Sequence, residues 1–339
     1  MKIHCLVLGF GIASNAYTSL LDNNKIKTSI IGSPYDKKKI NILKKRKKDK
    51  SLNINYSKKI SFYHEDEINL INKNSVKFII VGTNTNGINW AIKILNKLKI
   101  NCPVLLITKG LAKINNKLLL ISDYFFKKCF NKKIIMSAGP CLAKELINKV
   151  HTRTLFASRH ISYAKYAKKI LENDYYHPEI SNDIRGAEIC AAIKNIYSTL
   201  IGSSLGQVGD LVKNKNHGYF NTSSGLFEQS LKEMKYITKK FGGDYETVLG
   251  LAGAGDLYVS VLGGRNAKLG FYLGKGFLYK SIIKKQMKDT TVEGAELIKS
   301  SGRKILSLVG SSKLPLLKSL IKSINGNKRL KINWKEFTI

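Results

Sequence analysis

The feature that most restricts this chain is the turn Gly9-Phe10-Gly11-Ile12-Ala13-Ser14. It follows directly on an apolar run over residues 2–8 and precedes a stretch of helical spacing that ends near Asp22-Asn23-Asn24. Strand, glycine turn and helix in that order match the dinucleotide fingerprint at its first two glycines, with Ser14 where the third usually sits. The first glycine permits the tight turn. The second lets backbone approach a pyrophosphate at the positive end of the following helix. Ser14 is small enough to keep strand and helix close. Alone, GxGxxS is a weak motif, since glycines also make turns that bind nothing. Its place after the first strand gives it weight and makes Gly9, Phe10, Gly11, Ile12, Ala13 and Ser14 candidate cofactor contacts.

A second run, Lys27 to Ile31, stops at Gly32-Ser33-Pro34, after which Asp36 starts a lysine-rich helix. Further runs at Val76–Val81, Val104–Ile107 and Ile134–Ser137 alternate with helical stretches. This alternation predicts an α/β fold, a Rossmann-type doubly wound parallel sheet, with Leu155–Ser158 and Tyr175–Ile180 as strands at its far edge. From Asp183 onward helical spacing dominates, as in Ile189, Ile193, Ile196 and Leu200. The expected division is therefore a dinucleotide-binding domain over 1–180 and an all-helical substrate-binding domain over 181–339. A length of 339 residues, twice the ~150 of an average domain, agrees. The Gly- and Asn-bearing stretch 202–222 reads as a mobile loop. At the end of the second strand, where an NAD-specific enzyme commonly carries Asp or Glu for the ribose 2′-hydroxyl, the chain has Gly32-Ser33-Pro34-Tyr35. With no acid there to repel a 2′-phosphate, and with Ser33 and Lys37 to Lys39 nearby, NADP is expected to serve at least as well as NAD.

With 43% hydrophobic and 24% charged residues the chain is expected to pack rather than stay disordered. No uncharged apolar run approaches the roughly 18–20 residues that cross a bilayer, and the N-terminus enters a patterned segment at once, so a soluble, cytoplasmic protein without membrane insertion is expected. Five scattered cysteines without a CxxC pair argue against a disulfide framework or a metal site. The net charge of +35 invites a nucleic-acid reading, yet 51 of the 58 basic residues are Lys and only 7 are Arg, the residue that base and phosphate recognition favours. Lys, Asn and Ile share A/T-rich codons, so a low-G+C genome produces this charge without selection for DNA binding. The dense run from Lys37 to Lys48 reads as the solvated face of a helix, and no nucleic-acid partner is expected.

Four segments set small residues next to fixed charges. Thr108-Lys109-Gly110 ends a strand, and ligands of open α/β sheets bind at such carboxyl ends. Ser137-Ala138-Gly139-Pro140-Cys141-Leu142-Ala143-Lys144-Glu145 also follows a strand. Gly186 to Asn195 puts Lys194 on a helix face shared with Ala187, Cys190 and Ala191. Small neighbours there leave room for a ligand and limit hydration of the ammonium, which suits acid/base work. Gly250-Leu251-Ala252-Gly253-Ala254-Gly255-Asp256-Leu257 and Gly263-Gly264-Arg265-Asn266 set one acid among glycines and then a fork-shaped cation beside an amide.

In this order, TKG, AGPCLAKE, EICAAIKN, GLAGAGDL, GGRN and VEG, the segments resemble the NAD(P)-dependent glycerol-3-phosphate dehydrogenases over nearly the whole chain. The resemblance implies a Rossmann domain followed by a helical one, NAD or NADP as cofactor, and interconversion of sn-glycerol 3-phosphate and dihydroxyacetone phosphate in a cleft between domains, for glycerophospholipid supply. It implies that Lys194 is the active-site lysine and that Lys109 and Asp256 are the other catalytic charges, with Lys109 also near the cofactor. It places Arg265 and Asn266 on the substrate phosphate, Gly139 at a backbone contact, Asn195 and Ser260 along the substrate pocket, and Ala143, Glu293 and Arg265 against the cofactor. Two departures fall in the substrate pocket, Cys141 for a usual Ser and Gly264 for the Ser of a usual SRN, and the interval from Asp256 to Arg265 is about two residues short. Each bears on substrate identity more than on reaction type. A related Rossmann reductase of another polyol phosphate or hydroxy acid is the alternative, and a basic binding protein that keeps only the fold is the alternative outside enzymes. The sequence does not fix the oligomeric state, a homodimer being allowed.

Overall fold

In the computed structural model, whose described residues are 3–114, 117–207 and 220–337, the apolar runs of the first half become one sheet of eight strands. They are β1 (His4–Leu8), β2 (Lys27–Ile31), β3 (Ile60–Tyr63), β4 (Val76–Val81), β5 (Val104–Leu106), β6 (Ile134–Ala138), β7 (Thr152–Ala157) and β8 (Tyr176–Ser181), in the spatial order β3-β2-β1-β4-β5-β6-β7-β8. β1 is buried along its whole length, because helices cover both faces of a parallel sheet and leave no side for polar residues. Helix α1 (Ile12–Asn23) follows β1, α2 (Lys37–Arg46) follows β2, α3 (Ile88–Leu98) follows β4, and α4 (Ile121–Lys128) precedes β6. The strand order changes direction at β1/β4, and α1 starts there. This is where doubly wound sheets take ligands.

The sheet is not parallel throughout. β6 and β7 run antiparallel, with Met136 opposite Ala157 and Ala138 opposite Leu155, while β7 and β8 are parallel. The segment joining β6 to β7 contains only the five-residue helix α5 (Ala143–Ile147), too little for the covering crossover that a parallel return needs, whereas α6 (Ile161–Leu171) supplies one between β7 and β8. Two small hairpins, Lys48–Asp49 with Ile54–Asn55 and Leu111–Ile114 with Lys117–Leu120, complete the strands among the described residues.

The chain divides into two compact units, Met1–Glu188 and Ile189–Ile339. The division falls inside α7 (Ile184–Gln207), eight residues beyond the expected boundary at 180. Its cause is local: Glu188 accepts from the backbone N–H groups of Ile121 and Ser122, so the first turn of α7 belongs with α4. The second unit carries helices only, among the described residues: the rest of α7, α8 (Phe220–Lys240), α9 (Glu246–Leu249), α10 (Asp256–Val261), α11 (Arg265–Gly274), α12 (Tyr279–Lys285), α13 (Glu293–Leu297), α14 (Arg303–Val309) and α15 (Pro315–Asn325). Residues 202–207 and 220–222 are helical rather than loop, as the ends of α7 and α8, and the middle of that expected loop, 208–219, lies outside the described residues. No helix among the described residues is long and apolar enough to cross a membrane. The five cysteines form no disulfide, and no cluster of three or more metal-ligating side chains occurs among the described residues.

Candidate active site

The glycine turn is built as the fingerprint requires. Gly9 has φ +82°, a left-handed conformation that disfavours any other residue, and its N–H donates to Ile31 O at 2.9 Å. Ser14 does more than fit: its hydroxyl donates to Gly82 O at 2.9 Å and ties α1 to the end of β4. A Cβ on Gly82 would lie 1.9 Å from that hydroxyl oxygen, so the glycine of this close approach has moved from α1 to the next strand. Gly11, Ile12 and Ala13 are exposed, the first turn of α1 holds no acid, and no side chain caps it. Its backbone N–H groups therefore suit a pyrophosphate. Phe10 differs from its neighbours. Its ring is in the core against Phe62 at 5.5 Å and Tyr56 at 6.3 Å, and its N–H donates to Asp36 Oδ2 at 3.1 Å. It can meet a cofactor through backbone alone.

At the ends of β5 and β6 the structure brings two sequence segments together. Thr108 Oγ1 donates to Thr83 O at 2.6 Å, and Lys109 Nζ donates to Gly139 O at 3.1 Å. Lys109 is half-buried. Cys141 and Ala143 are half-buried and pack in part against the apolar core of this unit.

In the helical unit the candidates converge from four helices. Lys194 on α7 points its ammonium at Asp256 at the start of α10, and the two form an ion pair with side-chain exposures of 11% and 3%. A buried pair of this kind needs both members, because either charge alone would be left uncompensated. Asp256 follows directly on a π-helical turn of small residues, Leu251–Gly255. Next along α7, Asn195 presents its carbonyl to Gly294, where a Cβ would lie 2.4 Å from that oxygen. Gly294 N–H donates to Asn266 Oδ1 at 2.9 Å. With its oxygen engaged, what the Asn266 side chain has left to offer a ligand is its amide N–H groups. Arg265 pairs with Glu293, both half-exposed. Lys194-Asn195, Arg265-Asn266 and Glu293-Gly294 are thus one connected cluster. Gly264 before it has φ +96°, which accounts for glycine where the related pattern has Ser. Ser260 turns inward to its own helix, its hydroxyl donating to Asp256 O at 2.6 Å.

Three carboxylates that sequence reasoning did not single out shape these elements. Asp36 joins the β2 turn to the glycine turn. Glu188, fully buried, accepts from Ser122 N–H at 3.2 Å and from the Ser122 hydroxyl, and burial pushes its pKa up to about 7 against the pull of those donors. Glu233 on α8 accepts from Leu316 N–H at 2.6 Å, Leu317 N–H at 3.0 Å and Tyr197 O–H at 3.2 Å, and burial again raises it to about 7. The available signal was Glu188 standing on the same helix as Lys194, six residues earlier. For Glu233 the partners lie far along the chain and leave no local pattern.

Residues 5–164 match the N-terminal part of the NAD-dependent glycerol-3-phosphate dehydrogenases and residues 183–334 match their C-terminal part. The chain belongs to the NAD-dependent glycerol-3-phosphate dehydrogenase family. The NADP(+)-dependent glycerol-3-phosphate dehydrogenase of Archaeoglobus fulgidus is 29% identical over 273 residues, 80% of this chain and 79% of its own. The structure of the glycerol-3-phosphate dehydrogenase of Plasmodium falciparum superimposes with a TM-score of 0.85 at 17% identity, over 100% of this chain and 96% of that one. That of Coxiella burnetii gives 0.78 at 22% identity, over 97% and 96%. Such distant structures carry the fold; the family match carries the activity. The protein is an NAD(P)-dependent glycerol-3-phosphate dehydrogenase, an oxidoreductase of phospholipid precursor metabolism.

Proposed function

We propose that Lys194 is the proton donor when dihydroxyacetone phosphate is reduced to sn-glycerol 3-phosphate, and the proton acceptor in the reverse direction. Bound nicotinamide supplies or takes the hydride at the carbonyl carbon. The oxygen left with charge needs a proton and a nearby cation, and an ammonium fixed by a carboxylate offers both. The observation that carries this reading is the buried Lys194–Asp256 pair within the cluster of Arg265 and Asn266. Asp256 holds Nζ in one place, so orientation is paid before the substrate arrives. Arg265 grips two phosphate oxygens in the geometry of its planar fork, Asn266 donates beside it, and Asn195 lines the same space. Lys109 brings a second cation and Gly139 a backbone contact, the two already joined to each other. Gly9, Gly11, Ile12, Ala13 and Ser14 form the pyrophosphate turn, and Ala143 and Glu293 are further contacts of the dinucleotide. Cys141 and Gly264 are proposed substrate contacts that lack the hydroxyls of the commoner pattern. Ser260 lines the substrate pocket, its hydroxyl donating to Asp256 O and keeping its lone pairs to accept from substrate. The cytoplasm is the proposed compartment, supported by five cysteines without a disulfide.

Dihydroxyacetone phosphate-dependent oxidation of NADH and NADPH, followed as absorbance loss, tests the reading. A panel of other ketose phosphates and 2-keto acids should support at most about a hundredth of that kcat/KM. A 2-keto acid or another ketose phosphate used as well as dihydroxyacetone phosphate would give the site to a different substrate.

A further inference from the structure

We propose that Asp36 makes this enzyme prefer NAD to NADP, supplying from a turn the carboxylate that the second strand lacks. The inference rests on the dinucleotide site and goes beyond it to the choice between the two cofactors. In a Rossmann sheet the end of the second strand faces the adenosine ribose, where an acid accepts from the 2′-hydroxyl and repels a 2′-phosphate. The strand itself ends in Gly32-Ser33, which is why the sequence alone pointed to NADP. The turn that follows the strand brings in a carboxylate that the run of residues does not suggest. The chain turns through one 3-10 turn, Pro34–Asp36, closed by Asp36 N–H donating to Ser33 O at 2.8 Å. The carboxylate then swings back. Its Oδ2 accepts from Ser33 N–H at 2.8 Å, Ser33 O–H at 2.7 Å and Phe10 N–H at 3.1 Å. One carboxylate oxygen thus touches both the end of the second strand and the glycine turn, which leaves Oδ1 to accept from a ribose hydroxyl in the proposed complex. Gly32 lets the turn close so far, since a Cβ there would lie 2.5 Å from Ile40 Cγ1 and 3.1 Å from Asp36 Cβ.

Of the lysines that favoured a 2′-phosphate, one is engaged elsewhere and one stands among anions. Lys39 pairs with Asp49 at 2.8 Å and lies over the Phe10 ring. Lys37 faces a cavity of about 410 Å³ beside Ser33, where Lys97 adds a second cation but Glu65 and Asp66 add two anions. His64, also on that wall, has Nε2 at 2.8 Å from Asn41 Oδ1. Cations and anions offset there, and no arginine fork is present among these residues to hold a dianion. Asp36 touches the glycine turn directly, through Phe10 N–H.

Titration of the full-length protein with NADH and with NADPH, followed by calorimetry without substrate, tests this. Wild type should bind NADH at least about tenfold more tightly than NADPH. Asp36→Asn keeps the shape and an accepting oxygen but drops the charge, and should bring the two affinities within about threefold, mainly by strengthening NADPH. Asp36→Ser serves the same purpose should the first variant fold poorly. Equal or tighter binding of NADPH by wild type overturns the proposal, as does an unchanged ratio in both variants. Those results leave the dehydrogenase reading standing. Binding of neither nucleotide would sink both.

Discussion

Lys194 and Asp256, the proposed catalytic pair, also bear on stability, because each is buried and each is the other's counter-ion. Lys194→Ala should lower turnover by about 10²–10⁴, the usual contribution of a general acid. It should also destabilise the fold by about 3–5 kcal/mol, the cost of leaving one member of a buried pair alone. Asp256→Ala should cost a similar amount, and the double variant less than the two added together, since neither charge is then stranded. Urea unfolding of the three variants checks the coupling, and strictly additive losses would mean the two groups do not compensate each other. Arg265 behaves differently because its partner Glu293 is as exposed as itself, and such a pair holds the fold by no more than about 1 kcal/mol. Arg265→Ala should therefore unfold like wild type while losing several kcal/mol of kcat/KM toward phosphorylated substrate, on the order of a buried charge-assisted contact. Arg265→Lys should recover only part, as an ammonium restores charge without the fork. Unchanged steady-state constants in Arg265→Ala would remove the arginine from the site.

Among elements, α7 and α11 meet backbone to backbone. A Cβ on Gly270 would lie 2.0 Å from Thr199 O, and one on Gly274 would lie 2.0 Å from Ser203 O. Neither carbonyl can move without unwinding its helix. Gly270→Ala should therefore cost about 2 kcal/mol or more despite the better helix propensity of Ala, with Gly263→Ala, whose Cβ meets nothing within 4 Å, as a near-neutral control in thermal unfolding. Two other elements, α4 and α15, begin on buried carboxylates, and this has a pH signature. Glu188 and Glu233 stand near 7 in the fold against 4.5 in the ordinary group. Between those values the native chain keeps a proton that the unfolded chain has lost, so stability is full below 4.5 and falls as pH rises to 7, by about 3 kcal/mol at most for each group. His4, lowered by burial and then by Lys27, tilts the profile the other way, so the comparison needed is wild type against Glu188→Gln and Glu233→Gln. Each variant should flatten the decline in unfolding midpoint between pH 5 and pH 8, and a parallel decline would deny the carboxylates their part.

The same elements show what sequence pattern reaches. β1, β2, β4, β5 and β6 and the glycine turn were legible because burial on both faces writes a continuous apolar run. β3 at the open edge, the hairpin at 111–120 and the reversal at β7 were not, since they depend on connection length and neighbours rather than on their own residues. Lys194, Asp256 and Arg265 stood out as charges among small residues, with the Asn266 amide beside the last. That Asn195, Asn266 and Gly294 lock them together was beyond local pattern, as was the fold-back of Asp36, which stands five residues past the end of β2 and looks in sequence like the start of a lysine-rich helix.

For the whole molecule, the charge of +35 has two separable effects. Its lysines lie largely on solvated faces. In α2 only Ile40 and Leu43 are buried, and Lys37, Lys38, Lys44 and Lys45 are exposed. Charges so placed act at a distance, and salt screens them beyond about 10 Å at 0.1 M. They should draw an anionic substrate toward the protein, so kcat/KM for dihydroxyacetone phosphate should fall a few-fold as ionic strength rises from about 0.02 to about 0.2 M. Lys45→Ala, which removes one cation from the exposed face of α2, should follow wild type along that whole curve. Arg265→Ala should lie far below both at every salt concentration, because direct contact with phosphate is a local effect that screening does not replace. Steady-state kinetics of the three proteins across one salt series separate the two effects. Convergence of Arg265→Ala with wild type at high salt would show that the arginine acts only as one more member of the general field, and the phosphate grip would then belong to another residue.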